Sequence, residues 1–340
     1  MRRTIVLVLP LLALALASCK KGPTQAAVSP ESRKYLPPDP AAYAEIDVNA
    51  ARASALLKPY WDRMFVGLPP ACKPLLDSLD RISLAAYGSL DDLLKAFIRR
   101  APDPETAAAP AADQPAEPAA PMPDVAVLLT GPTTAELRAC LDAAAKLAGG
   151  AVREEQRNGQ AVLFATIKGV EQAIVSPDDT THVLTMGARL ESVLAAVAGG
   201  PTIDGSPVVG ALGTVPPGTI VIAARFPASV AAMMNEALEM FAGGKPIPAP
   251  TMMAASIGVG EPLSLAGSLT MGDEASAQSF EGLINSGLAM ARTMLAAVGD
   301  EPKAAPFKQL LGSVAVSRSG AVLTVRATVP KDLATQAMSR

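Results

Sequence analysis

The sequence predicts an α+β protein made by tandem duplication of a β-α-β-β-α-β-β unit, with largely antiparallel sheets and helices packed on one face. Three observations carry this reading. The same order of strand-like and helix-like runs appears in both halves of the chain. Apolar and polar side chains alternate through Leu323-Thr324-Val325-Arg326-Ala327-Thr328, the period of a strand with one wet face. Val230, Met233, Met234, Ala237, Leu238 and Phe241 mark one helix face, and Phe280, Leu283, Ile284, Leu288, Ala291 and Leu295 mark another.

The chain begins with Arg2 and Arg3, then an apolar run from Ile5 to Ala17 broken by Pro10. A membrane-spanning helix needs about 20 apolar residues, so this run reads as a secretory leader over residues 1–18. It ends Leu16-Ala17-Ser18-Cys19. That stretch resembles the lipobox of bacterial lipoproteins. The resemblance implies cleavage before Cys19, a diacylglycerol on its sulfur and an acylated amine. Each buried methylene contributes about 0.8 kcal/mol, so two or three chains hold almost permanently. Lys20, where an aspartate would favour inner-membrane retention, implies sorting to the periplasmic face of the outer membrane. Residues 19–36 are polar and proline-punctuated and are expected to form a tether reaching roughly 20 to 25 Å.

The first repeat is expected over 37–200. It opens with a strand and helix at 42–60, continues with a strand at 80–88, then a strand and helix at 124–146, and ends in a hairpin at 147–167. Residues 101–123, rich in alanine, proline and acids, cannot pack a core and read as a surface insertion. Thr133 and Glu136 have capping-box spacing before the second helix. Asn158-Gly159 suits a type I′ hairpin turn. Residues 170–200 read as two extra strands turning at Asp178-Asp179, then a short helix.

The second repeat, 201–340, follows the same order at 219–238, 253–261, 265–287 and 310–329. Pro227 suits a first helical position, and Ser317-Arg318-Ser319-Gly320 marks the turn matching Asn158-Gly159.

Composition narrows the function classes. Hydrophobic residues make up 50% but aromatics only 4%, so alanine, valine, leucine and methionine must fill the core. The net charge is −3 with no basic block, which argues against nucleic acid as a partner. Besides Cys19 there are Cys72 and Cys140, which can form a disulfide in an oxidising envelope. Cys140 also sits with Leu137, Leu141 and Ala144 on an apolar helix face, which suits a buried thiol equally.

Chemistry-bearing motifs fail on inspection. His182, the single histidine, lies in a strand-like run, and no G-x-S-x-G elbow is present. Asp91-Asp92 fits a helix start and Asp178-Asp179 fits a turn. Residues 243–246 have Pro246 where a phosphate loop needs serine or threonine, and residues 258–263 lack a third glycine. No catalytic, cofactor or metal residues are assigned. Tyr60, Trp61 and Phe65 form an aromatic group that serves either as local core or as a docking patch.

These features indicate an envelope scaffold or interaction component with an unknown envelope protein as partner. The alternative is a carrier of lipid or another apolar ligand. For the carrier, Met233, Met234, Met252, Met253, Met290 and Met294 would supply adaptable contacts in the second half.

Overall fold

The computed structural model describes residues 33–58, 61–62, 67–91, 124–167, 170–241, 248–297 and 304–338. The leader, Cys19, residues 20–32 and the insertion at 101–123 lie outside the described residues. The first half comprises β1 (Ala42–Asp47), α1 (Val48–Ala53), α2 (Lys73–Ser78), β2 (Arg81–Ala86), β3 (Val125–Thr130), α3 (Thr134–Leu147), β4 (Val152–Arg157), β5 (Gln160–Ile167), β6 (Val170–Asp178) and β7 (Thr181–Met186). Two short helices, α4 (Leu190–Val197) and α5 (Pro207–Ala211), lead to the second half. There follow β8 (Ile220–Arg225), α6 (Ala228–Phe241), β9 (Met252–Gly258), β10 (Leu263–Thr270), α7 (Glu274–Ala297), α8 (Ala305–Ser313), β11 (Ala315–Ser319), β12 (Val322–Val329) and α9 (Lys331–Met338).

All described strands join one 12-stranded sheet in the order β11-β12-β10-β9-β8-β1-β2-β3-β7-β6-β5-β4, and every neighbouring pair is antiparallel. The two repeats therefore share a sheet, joined at β1 and β8. The third residue of β1, Ala44, faces the third residue of β8, Ile222. Equivalent positions thus meet at the centre, and the repeats are related by a pseudo-twofold axis there. Reading outwards, β8-β9-β10-β12-β11 mirrors β1-β2-β3-β5-β4, with the β6–β7 hairpin inserted between β3 and β5. A hairpin adds two antiparallel strands, so its insertion leaves β3 and β5 antiparallel, as β10 and β12 are.

The local signals explain the elements. Thr133 Oγ1 accepts from the Glu136 amide at 3.3 Å, and Glu136 Oε2 accepts from the Thr133 amide at 2.8 Å, which closes the capping box of α3. That backbone bond holds the Glu136 carboxyl below its usual pKa. Asn158 and Gly159 both have positive φ, 50° and 79°, at the β4–β5 turn.

One boundary differs from the expected one. Tyr35 and Leu36 belong to the body rather than to the tether. Leu36 is fully buried in the main core with Tyr43, and the Ile203 amide donates to its carbonyl at 2.9 Å. Arg33 pairs with Asp204 at 3.4 Å. Residues 33–36 therefore belong to the folded body, because the Tyr35-Leu36 pair supplies apolar area worth burying.

The sheet has two unlike faces. On the tether face, Tyr43, Ala85, Leu128, Val183 and Phe164 form the main core with Leu36, α4 and α5. Helices therefore cover this face at its centre, whereas on the opposite face they pack at the two ends. On the opposite face, α3 packs Leu137 and Leu141 onto Leu163, Ala165 and Ile174. At the other end of that face, α7 packs Ala277 and Phe280 onto Met271 and Leu323, and α9 packs Ala334 onto Leu265, Ala327 and Val329. Cys72 and Cys140 are joined by a disulfide that ties the turn before α2 to α3.

Candidate functional site

The register of the strands builds a continuous apolar row on the face opposite the tether. It runs Leu163, Ile174, Leu184, Val127, Leu84, Ala44, Ile222, Ala255, Gly267, Val325, Val316, one residue from each strand from β5 to β11. Helices press on its two ends, through α3 at Leu163 and Ile174 and through α7 and α9 at the β10–β12 end. The centre is different. Leu84 remains 37% exposed and Ile222 remains 41% exposed, either side of the small Ala44 at the pseudo-twofold axis. Strands lie about 4.8 Å apart, so from β2 to β9 the floor is roughly 14 Å wide. An α-helix is about 10 Å across, so the floor is one helix wide. Large aliphatic side chains left open beside a flat alanine floor are the makings of a contact surface.

His182 is fully buried and its contacts fix its chemistry. Nε2 lies 2.9 Å from the Pro132 carbonyl, which can only accept, so Nε2 carries the proton. Nδ1, 2.8 Å from Ser176 Oγ, then accepts from the hydroxyl. Burial pushes its pKa below the usual 6.5, opposed by the Pro132 bond and by Asp178 and Asp179. Neutral His182 thus pins the β6–β7 hairpin to the loop before α3, a structural role. The sign of the pH effect follows. The unfolded chain takes up a proton near pH 6.5 and the folded chain only lower, so stability present above 6.5 falls as pH decreases below it. The expected slope is at most about 1.4 kcal/mol per pH unit. Urea melts of wild type and His182→Gln between pH 7.5 and 5 should show this slope in the wild type and its flattening in the variant.

The six methionines do not converge. Met252 packs against the main core on the tether face, while its neighbour Met253 lies on the opposite face, as successive strand residues must. Met234 packs beside Phe280 and Leu283. Met233, Met290 and Met294 are exposed on α6 and α7 by 63%, 62% and 64%. The carrier reading thus gains no common cavity among the described residues. Exposure also orders their reactivity: dilute hydrogen peroxide should oxidise these three before buried Met271, as peptide mass spectrometry would show.

Other marked residues hold the fold. Asp91 Oδ1 accepts from the Ser229 amide at 3.3 Å, tying the helical residues 90–91 that follow β2 to the start of α6, while Asp92 lies outside the described residues. Trp61 stacks on the Arg52 guanidinium at 5.6 Å, and Tyr60 and Phe65 lie outside the described residues. An open cavity of about 380 Å³ is lined by Arg52, Lys58, Trp61, Asp62, Lys73, Leu76 and Asp77. Arg52 is spent on the carbonyls of Leu76, Asp77 and Leu79, and the lysines pair with Asp62 and Asp77. Residues 243–246 fall outside the described residues, and 258–263 turn the β9–β10 hairpin. Among the described residues no helix is long and apolar enough to cross a membrane, and no group of three or more histidine, cysteine or acidic residues is placed to hold a metal.

No family model matches the chain, and no curated protein matches it. Two solved structures, crystal forms I and III of TP0453, align with it at 10% identity. Crystal form I covers 92% of this chain and 96% of its own, with a TM-score of 0.46. Crystal form III covers 93% and 100%, with a TM-score of 0.48.

Proposed function

We propose that the chain is an envelope lipoprotein that works by binding another envelope protein rather than by catalysis. Acyl chains on Cys19 would hold it at the periplasmic face of the outer membrane. The observation that supports the docking role is the exposed pair Leu84 and Ile222 at the centre of the otherwise covered apolar row. The lipobox-like leader supports the address.

Each half of the proposal has its own test. Cys19→Ala should move the mature protein out of the membrane fraction and remove fatty acyl groups from its mass; an unchanged fraction and mass would remove the anchor. For the docking surface, Leu84→Thr with Ile222→Thr keeps strand propensity and deletes the apolar contacts. Losing two aliphatic anchors should weaken partner capture about 10- to 100-fold. Leu147→Thr, on a residue 74% exposed at the end of α3, should leave capture unchanged.

A further inference from the structure

The chain itself arrives at the margin of the open row. After β2 it turns at Gly88, whose φ is 90°, and residues 90 and 91 are helical. Leu90 packs against Ala86 and Val125, in a cluster that also takes in Ala42 and Val127 on the face opposite the tether. Asp91 accepts from the amide and the hydroxyl of Ser229, at the start of α6 just after β8. The chain therefore leaves Asp91 on the open face, at one end of β2, β1 and β8. Residues 92–123 lie outside the described residues. From Ser89 the sequence reads Ser-Leu-Asp-Asp-Leu-Leu-Lys-Ala-Phe-Ile-Arg-Arg. Leu90, Leu93, Leu94, Phe97 and Ile98 recur at the spacing of one helix face. Ser89 and Asp92 have capping-box spacing. Acids open the stretch and Arg99 and Arg100 close it, the charge order that suits a helix dipole.

We infer that residues 90–100 dock as one amphipathic helix on the Leu84–Ala44–Ile222 row, so that the first occupant of the row is this chain. The match of the two repeats along the strands carries the fit. Ala86, Ala42 and Ala224 form one step across β2, β1 and β8; Leu84, Ala44 and Ile222 form the next; half-buried Ile82, Ile46 and Ile220 form the third. Successive steps lie about 6.7 Å apart, and four helix residues rise about 6 Å. A helix running back along the strands with Leu90 on the first step brings Leu93 and Leu94 to the second, and Phe97 and Ile98 to the third. Lys95, Arg99 and Arg100 stay in water on its other side. A partner protein at the row has to displace this helix, so the segment competes with docking. The seat itself depends neither on a partner nor on the anchor at Cys19.

A benzophenone side chain at position 94 tests the seat without altering any residue of the sheet. In the purified full chain, ultraviolet light followed by peptide mass spectrometry should place its adducts within one molecule, on residues 42–47, 81–86 or 220–225. Leu84→Thr with Ile222→Thr should lower that yield at least about fivefold, because the apolar contacts that hold the helix are lost. Adducts confined to residues 59–66, to a second copy or to detergent, or a yield indifferent to the double threonine change, would overturn the inference. Partner capture separates this reading from the docking one. With the internal adduct present, Leu93→Asp together with Phe97→Asp should raise capture at least about threefold by freeing the row. Capture that ignores both the segment and the row, beside an intact internal adduct, removes the docking reading alone; capture that needs the row, without the internal adduct, removes the seat alone.

Discussion

Replacing Cys72 and Cys140 together by alanine is expected to lower the stability of the protein by about 4 kcal/mol. The bond closes a loop of sequence separation 68, and the entropy such a closure removes from the unfolded chain scales with the logarithm of loop length. The native contacts are not the main source of the effect. The bridge fastens the turn before α2 to α3, whose Leu137 and Leu141 already pack on the sheet, so the reduced protein should retain its fold. Denaturant melts with and without reductant, and of the double alanine variant, should show a midpoint shift with little change in slope. A loss below about 1 kcal/mol would mean that the unfolded chain keeps this loop closed without the bond. The row at Leu84 and Ile222 belongs to other elements and should keep its exposure in both forms at low temperature.

Arg81→Met is expected to cost about 3 kcal/mol, the second largest single effect. Glu45 is 5% exposed on the tether face of β1, with Arg81 Nη1 2.6 Å from its Oε1. Tyr43, fully buried, donates its hydroxyl to Oε2 at 2.6 Å. Burial, and then the neighbouring Glu45 charge, push the Tyr43 phenol far above its usual pKa, so it stays a donor. Removing the guanidinium takes a charged partner away from a buried carboxylate, and breaking a buried pair on one side is expensive. The companion change Glu45→Gln should recover much of the loss, since an amide needs no counter-charge. Equilibrium unfolding of the two single variants and the double variant measures this directly. If Glu45→Gln made Arg81→Met worse, the pair would not be the unit described.

The order of elements was legible in the sequence because each repeat carries its own hydrophobic period. The strand at 323–328 alternates, and the helix faces at 228–241 and 274–297 recur every three to four residues. What the two repeats do to each other was not legible. Nothing in the residues around Ala44 or Ile222 says that these two pair, because every strand offers the same backbone edge. The extra strands at 170–186 were readable as strands, but their place between β3 and β5 is a matter of pairing and not of period. The α8 helix escaped because its nine residues include Pro306 and Gly312, and such short stretches give little periodic signal.

The candidate surface shows the same limit. Leu84 and Ile222 look in sequence like any inward strand residues, and their exposure depends on where α3 and α7 come to rest. The methionine count pointed to the second half, yet Met252 and Met253 fall on opposite faces because a strand alternates. The early start of the body had a readable signal in Tyr35-Leu36, an apolar pair within an otherwise polar stretch.

Contact at the row can be read one residue at a time. A benzophenone side chain placed at position 222 in cells, and another placed at position 147, would report by ultraviolet crosslinking what touches each. The account predicts a discrete protein adduct at 222 that is absent at 147 and lost when Leu84 is also changed to threonine. Crosslinks at 222 only to lipid, or the same adducts at both positions, would contradict it.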